Sequence, residues 1–331
     1  MNKELSSAII QEIISTYPEI NFLQLPKYGK MNELIGDKTI IEDFGGKAHA
    51  LMIVRNAKRG RYLEIPCGPL LDWNNKKLSK DVFDKIAEIG KREKCIFVRI
   101  RPQLNGSPEN LKKLADLKLE KSPMHLAAEH TVMIDLRKTE DELLADMRRQ
   151  TRYEVRRAEK LNIHVDKSNS LEVFKEFHSV QTETARRQNF VPPSLKTLLA
   201  EREAFGDDIM IYVAKNEDDK PIAYGMIIRG GKEGDYYEAA STELNHKLPG
   251  AYALLWQAMK DLKADGYERF NLWGIAPPNQ PNHRYAGVTT FKTGFGGEVV
   301  EYVPAHDLVL SKVRYLADFA FETLRKKRRH L

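Results

Sequence analysis

Cysteine is nearly absent from this 331-residue chain, which contains only Cys67 and Cys95. Two cysteines this far apart exclude a disulfide scaffold and any C-x-x-C metal or redox motif. No run approaches the roughly 18 consecutive apolar residues of a membrane span. The opening MNKELSSAIIQEIISTYPEI lacks the apolar core and cleavage box of a secretory signal. These absences predict a cytoplasmic chain. Catalytic signatures are missing as well: the sequence has no H-E-x-x-H, no clustered carboxylate motif, no P-loop, no G-x-G-x-x-G and no G-x-S-x-G. Neither a metal nor a cofactor is expected.

What is present is the composition of a globular protein, with 42% apolar and 30% charged residues. At about 150 residues per domain the length predicts two domains. The net charge is +6, but Arg325, Lys326, Lys327, Arg328 and Arg329 are consecutive, and the rest of the chain is nearly neutral. The total therefore does not imply a basic surface. Any informative cation must be found by its placement.

The best-marked helix begins at Thr139, which forms a capping box with Glu142. Leu143, Met147, Thr151, Val155 and Ala158 make a core-facing stripe, and Asn162 ends the helix. On another face Arg148, Arg152, Arg156 and Lys160 recur every four residues. A second helix follows Ser170, with Phe174, Phe177, Gln181 and Thr184 inward, and runs to about Arg187. Two stretches look alike. Strands over 50–54 and 60–65, a helix over 79–93 and a strand over 95–100 form the first. Strands over 209–214, 222–229 and 235–240, a helix over 250–264 and a strand over 269–273 form the second. RYLEIP resembles DYYEAA, which predicts a duplicated α/β domain of mixed sheet and flanking helices. The stretch 308–331 reads as a C-terminal helix whose stripe of Leu310, Val313, Leu316, Ala317, Ala320, Phe321 and Leu324 must be buried.

Two segments bear on chemistry. HKLPGAYALLWQA puts Gly250 at a helix start after a strand, where backbone amides of an acetyltransferase cradle a coenzyme A pyrophosphate. That motif wants a second small residue, and Tyr252 occupies the position. In TTFKTGFGGEVVEY, Lys292 lies between Phe291 and Phe295 and is followed by Gly296 and Gly297. Its spacing fits a β-hairpin with core phenylalanines and a solvated lysine. It also fits a desolvated cation acting on a developing anion.

FKTGFGG, TRYEVRRAEK, TETARRQNF, PCGPLLDW and LLWQAMKDLKADGYERFNLWGI together resemble the Fem (FemABX) family of peptidoglycan bridge aminoacyltransferases, over roughly residues 20–305. The resemblance implies an α/β (α+β) fold of two GNAT-like domains. Only about twenty residues separate Phe190 from Ile209, so the long helical arm of the larger members is absent and the chain is similar to the compact FemX-like type. The domains expected are 1–127 with a returning 304–331, and 128–303.

The implied reaction moves an amino acid from aminoacyl-tRNA to the side-chain amine at position three of the stem peptide, on UDP-MurNAc-pentapeptide or lipid II. It needs no metal and no covalent intermediate. By the same resemblance Lys292 stabilises the oxyanion, Phe291 orders the site, and Arg187 of RRQNF contacts the acceptor diphosphate with Lys30. Tyr236 or Tyr237 touches substrate, and the Arg148, Arg152, Arg156, Lys160 stripe takes the tRNA. Two positions depart from the family. Val191 stands where compact members place a tyrosine, and Arg101 stands where the family often has an acid considered as a base. With an arginine there, a substrate carboxylate or phosphate, or Asp72, is left for that task. A monomer is expected, in the cytoplasm or at the inner face of the membrane. Competing readings are a coenzyme A-dependent N-acyltransferase on the same fold and a non-enzymatic RNA-binding protein.

Overall fold

The computed structural model describes residues 12, 15–17 and 20–329, apart from Asn189, Asn279 and Pro281. Two compact units divide the chain, Met1–Glu129 with Glu301–Leu331, and His130–Val300. The first contains α1 (Pro26–Ile35), β1 (Lys38–Asp43), β2 (Ala48–Ala57), β3 (Gly60–Pro66), β4 (Leu70–Leu71), α2 (Lys76–Arg92), β5 (Cys95–Arg101), α3 (Pro108–Asp116) and β6 (Glu120–Lys121). The second begins with β7 (His130–Asp135), α4 (Glu140–Asp146), α5 (Arg149–Lys160), β8 (His164–Ser168), α6 (Leu171–Gln188) and α7 (Leu195–Phe205). It continues with β9 (Ile209–Lys215), β10 (Pro221–Gly230), β11 (Glu233–Ser241), α8 (Gly250–Ala264), β12 (Arg269–Gly274), α9 (Ala286–Thr293) and β13 (Glu298–Glu301). The chain then returns to the first unit with β14 (His306–Val309) and α10 (Lys312–Arg329).

The duplication is visible in the strand order. One sheet runs β1-β2-β3-β5-β14-β6 with β4 on β2, and the other runs β13-β7-β12-β11-β10-β9-β8. Each has an antiparallel hairpin, β2–β3 or β10–β11, whose second strand pairs in parallel with the strand after a crossover helix. The next strand in each sheet is antiparallel, β14 on β5 and β7 on β12. The crossover helices form for local reasons. Asn75 caps α2 by accepting from Leu78 N, and Val82, Phe83, Ile86 and Ile89 bury one face. In the second unit Leu254, Leu255, Ala258, Met259 and Leu262 of α8 pack on Ile134, Ile227, Phe270 and Leu272 of the sheet.

Two predicted helices are corrected. The helix predicted to run unbroken from Thr139 breaks at Met147, whose backbone is extended (ψ 142°), so α4 and α5 are separate and Arg148 caps α5 without belonging to it. The buried stripe of Leu143, Met147, Thr151, Val155 and Ala158 survives the break. The basic stripe does not. Arg152 folds back to donate to the carbonyls of Leu144, Ala145 and Met147, capping the end of α4.

The C-terminal helix starts at Lys312, after Leu308 in β14, and its apolar stripe is exposed. Val313 is 83% exposed, Leu316 66% and Leu324 67%. The opposite face is buried because it supplies partners to charges of the first unit. Arg99 is buried and bonds both oxygens of the fully buried Asp307, at 2.8 and 2.9 Å, and Glu322 at 2.8 Å. Tyr315 donates to Asp307 at 3.0 Å, and Arg59 bonds Asp318 while lying over the Phe321 ring. Unpaired buried charges cost more than exposed leucines, so the charges set the rotation of the helix. Replacing Arg99 with Ala leaves the Asp307 carboxylate buried without its partner. This change is expected to lower stability by about 3–5 kcal/mol in denaturant titration.

Candidate active site

The two parallel pairs differ in length, and this difference locates the site. β3 and β5 stay paired from Arg61↔Cys95 to Pro66↔Arg101. β11 and β12 pair only at Glu233↔Arg269, Gly234↔Phe270 and Asp235↔Asn271, and then part. Asn271 holds the point of divergence. Its Oδ1 accepts from Thr131 Oγ1 at 2.5 Å and from Trp273 N at 2.9 Å, and its Nδ2 donates to Glu233 at 3.1 Å. Trp273 there takes a left-handed backbone (φ 61°).

Lys292 reaches into this opening. The FKT of FKTGFGG is the last turn of α9, and the glycines form the turn into β13. Gly297 is left-handed (φ 81°), and a Cβ there would come within 2.5 Å of Met133 O. The hairpin with a solvated lysine is thus overturned: Lys292 is helical and buried. Its Nζ donates to Gly274 O of β12 at 2.9 Å and lies 5.8 Å from the Tyr236 ring centre of β11. A cation therefore spans the gap between the two strands, and burial pulls its ammonium down to about 7. Tyr236 is buried too, and desolvation raises its phenol well above the ordinary range.

A β-bulge sets which side chains face this opening. Met226 opposes Glu238 and Ile227 opposes Tyr236, so Tyr237 is the extra residue on β11. Tyr236 faces α8, where its ring fills the space over Gly225. Glu238 faces α6, accepting from Gln181 at 2.7 Å. Tyr237 is half-buried, edge-on to Trp273 across the opening at 5.3 Å.

The remaining candidates fall as follows. Phe291 packs edge-on against Tyr252 at 5.0 Å and Phe295 at 5.3 Å, an aromatic group below Lys292. Tyr252 thereby fills the start of α8. Gly250 is there for packing, since a Cβ would come 2.4 Å from Ile222. Arg187 is exposed at the end of α6, tied to Ser241 O and to Thr184 Oγ1 at 3.2 Å. Arg148, itself exposed, donates to Thr290 O at 3.0 Å, on α9. Arg148 and Arg152 thus serve the backbone, while Arg156 and Lys160 are exposed with Arg149 and Tyr153. Lys30 is exposed on α1, in the first unit. Arg101 is buried in that unit, against Cys67 Sγ at 2.7 Å and over the Tyr302 ring, and Asp72 caps a turn through Asn74 N. Val191 is 93% exposed. Among the described residues no group of three His, Cys, Asp or Glu is placed to hold a metal ion.

Sequence reasoning missed Asn271, Trp273, Glu238, Glu201 and Gln181 as a set. Only DYYEA, with two aromatics and an acid on one short strand, hinted at any of them.

The comparisons agree with this geometry. The FemAB family model matches residues 11–122, 118–220 and 213–323. Aminoacyltransferase FemA of Staphylococcus aureus is 20% identical over 351 residues, covering 81% of this chain and 84% of that protein. The crystal structure of FemX superposes with TM-score 0.82 at 18% identity, over 93% of this chain and 97% of that one. The structure of L-PGS from Bacillus licheniformis gives 0.57 at 13% identity, over 96% of each chain. The fold is the two-sheet α/β fold of FemX. The chain belongs to the FemAB family, and it is an aminoacyltransferase.

A buried lysine of lowered pKa costs stability wherever the unfolded state binds the proton that the folded state resists. Lys292→Met is therefore expected to raise stability by about 1 kcal/mol or more at neutral pH. The sign follows from the two protonation states. The gain should be full at and below pH 7 and shrink as pH climbs towards the ordinary lysine value of 10.5. Thermal unfolding of both proteins across that range checks it, and a gain that grows with pH refutes the assignment.

Proposed function

We propose that this enzyme moves an aminoacyl group from the ester of an aminoacyl-tRNA to the side-chain amine of a peptidoglycan stem peptide, carried on UDP-MurNAc or as lipid II. The amine nitrogen bonds to the ester carbonyl carbon, the bond to the ribose oxygen breaks, and that oxygen takes the proton released. The observation that carries this reading is Lys292, a buried cation set beside the point where the β11–β12 pairing stops. In its protonated form it stabilises the tetrahedral oxyanion from a site poor in water. Phe291 and Tyr252 support its helix. Arg187 is the cation offered to the acceptor diphosphate. The Tyr252 ring at the start of α8 weighs against coenzyme A as donor.

The tRNA surface is shifted from the one predicted. Arg149, Tyr153, Arg156 and Lys160 are all exposed and follow the i, i+4, i+7, i+11 spacing of one α5 face. Tyr153 is 58% exposed and offers a ring for stacking between the cations. Incubating the protein with aminoacyl-tRNA and UDP-MurNAc-pentapeptide should yield the extended peptide. Lys292→Met should slow transfer by about 10²–10³-fold. Charge reversal at Arg156 and Lys160 should raise the KM for tRNA without that loss of kcat. Normal turnover in the Lys292 variant removes it from the chemistry.

One observation favours the lipid-linked acceptor. The exposed Val313, Leu316 and Leu324 of α10 lie between Lys312 and Arg314 at one end and the Arg325–Arg329 run at the other. The side chains after Lys326 lie outside the described residues. No described helix is long and apolar enough to cross a membrane, but such a face suits lying on an anionic bilayer, at about 1 kcal/mol per cation. The protein should sediment with phosphatidylglycerol vesicles and not with phosphatidylcholine vesicles. Leu316→Glu with Leu324→Glu should abolish that. Equal sedimentation of the variant excludes the face.

A further inference from the structure

Two glutamates and a glutamine meet on the α6 side of β11, outside the machinery described above. Gln181 of α6 and Glu201 of α7 are each only 3% exposed, while Glu238 of β11 is half-buried and reachable from solvent. Gln181 Nε2 spends its donor on Glu238 Oε2. Its own Oε1 is buried with no partner, and so is Glu201 Oε2. Burial makes both carboxyls harder to ionise, for Glu201 with the Glu238 charge adding to it, and among the described residues neither has an ion pair. A protein rarely leaves two buried acceptors unmatched, because each costs about 1–3 kcal/mol. The cluster presents several acceptors, negative charge, and one open side.

We infer that Glu238, Glu201 and Gln181 form a receptor for a primary alkylammonium group. An ammonium carries three N–H donors pointing in three directions and one positive charge, which matches two carboxylates and an amide oxygen. A neutral donor such as a hydroxyl would leave the charge unanswered. The placement suits the reaction. Glu238 lies two residues from Tyr236, whose ring lies beside Lys292, and the bulge at Tyr237 turns the two side chains to opposite faces of β11. Resting on the transfer proposed above, the ligand is one of the two primary amines of that reaction, the acceptor side-chain amine or the α-amine of the aminoacyl ester. Both share this chemistry, and the receptor fixes whichever one it takes.

The test needs no transfer, so it can fail separately from the proposed reaction. Saturation-transfer NMR on the whole protein would use Nα-acetyl-lysine amide for the acceptor amine and alanine methyl ester for the donor amine. Nα-acetyl-norleucine amide is the uncharged control. One of the two ammonium probes should bind the wild type at least tenfold more tightly than the control, and which one assigns the source. Glu238→Gln and Glu201→Gln, both nearly isosteric, should each remove that preference. Should Glu238→Gln fail to fold, Glu201→Gln carries the result alone. No preference for either ammonium in the wild type, or an undiminished preference in a folded variant, overturns the receptor. Ammonium binding without any aminoacyl transfer overturns the reaction and leaves the receptor standing.

Discussion

The site depends on where β11 and β12 stop pairing. Parallel strands share evenly spaced hydrogen bonds, and a pair that stops after three residues leaves backbone groups that something else must satisfy. Asn271 answers part of that need by accepting Trp273 N, and Lys292 answers part by donating to Gly274 O. The lysine is thus buried for a structural reason before any chemistry is considered. Its proton is easily lost because burial, and no neighbouring carboxylate, dominates its surroundings. In the first unit β3 and β5 stay paired as far as Pro66↔Arg101.

The same balance between desolvation and apolar burial explains both misread helices. Periodicity predicts that leucines turn inward and arginines outward. Arg152 instead turns in, because the end of α4 offers three carbonyls that lack helical partners. On α10 the inward face is Tyr315, Asp318 and Glu322, because Arg59 and Arg99 of the first unit need them. A stripe rule counts residue types, and it cannot see that a buried guanidinium elsewhere in the chain has already fixed the rotation.

Much of the fold was legible because its signals are local. The crossover helix 250–264 was read to the residue, and the paired hairpin-helix-strand order revealed the duplication. Lys292 and Phe291 were legible through their motif, though spacing alone could not separate a helix end from a hairpin. What was not legible depends on distance along the chain. Gln181, Glu201 and Glu238 come from two helices and a strand, and no spacing rule joins them. Tyr236 and Tyr237 read as alternating neighbours. The bulge breaks that alternation, and it is set by the register with β10, a property of two strands together.

That bulge sends Tyr236 and Glu238 to opposite faces of β11. Without it, Tyr236 and Glu238, two residues apart, would lie on one face of the sheet. With it, one short strand places an aromatic ring beside a buried lysine on one side and a carboxylate against a second carboxylate on the other. Burial then moves the two groups in opposite directions: Lys292 falls to about 7 and Glu238 rises to about 7.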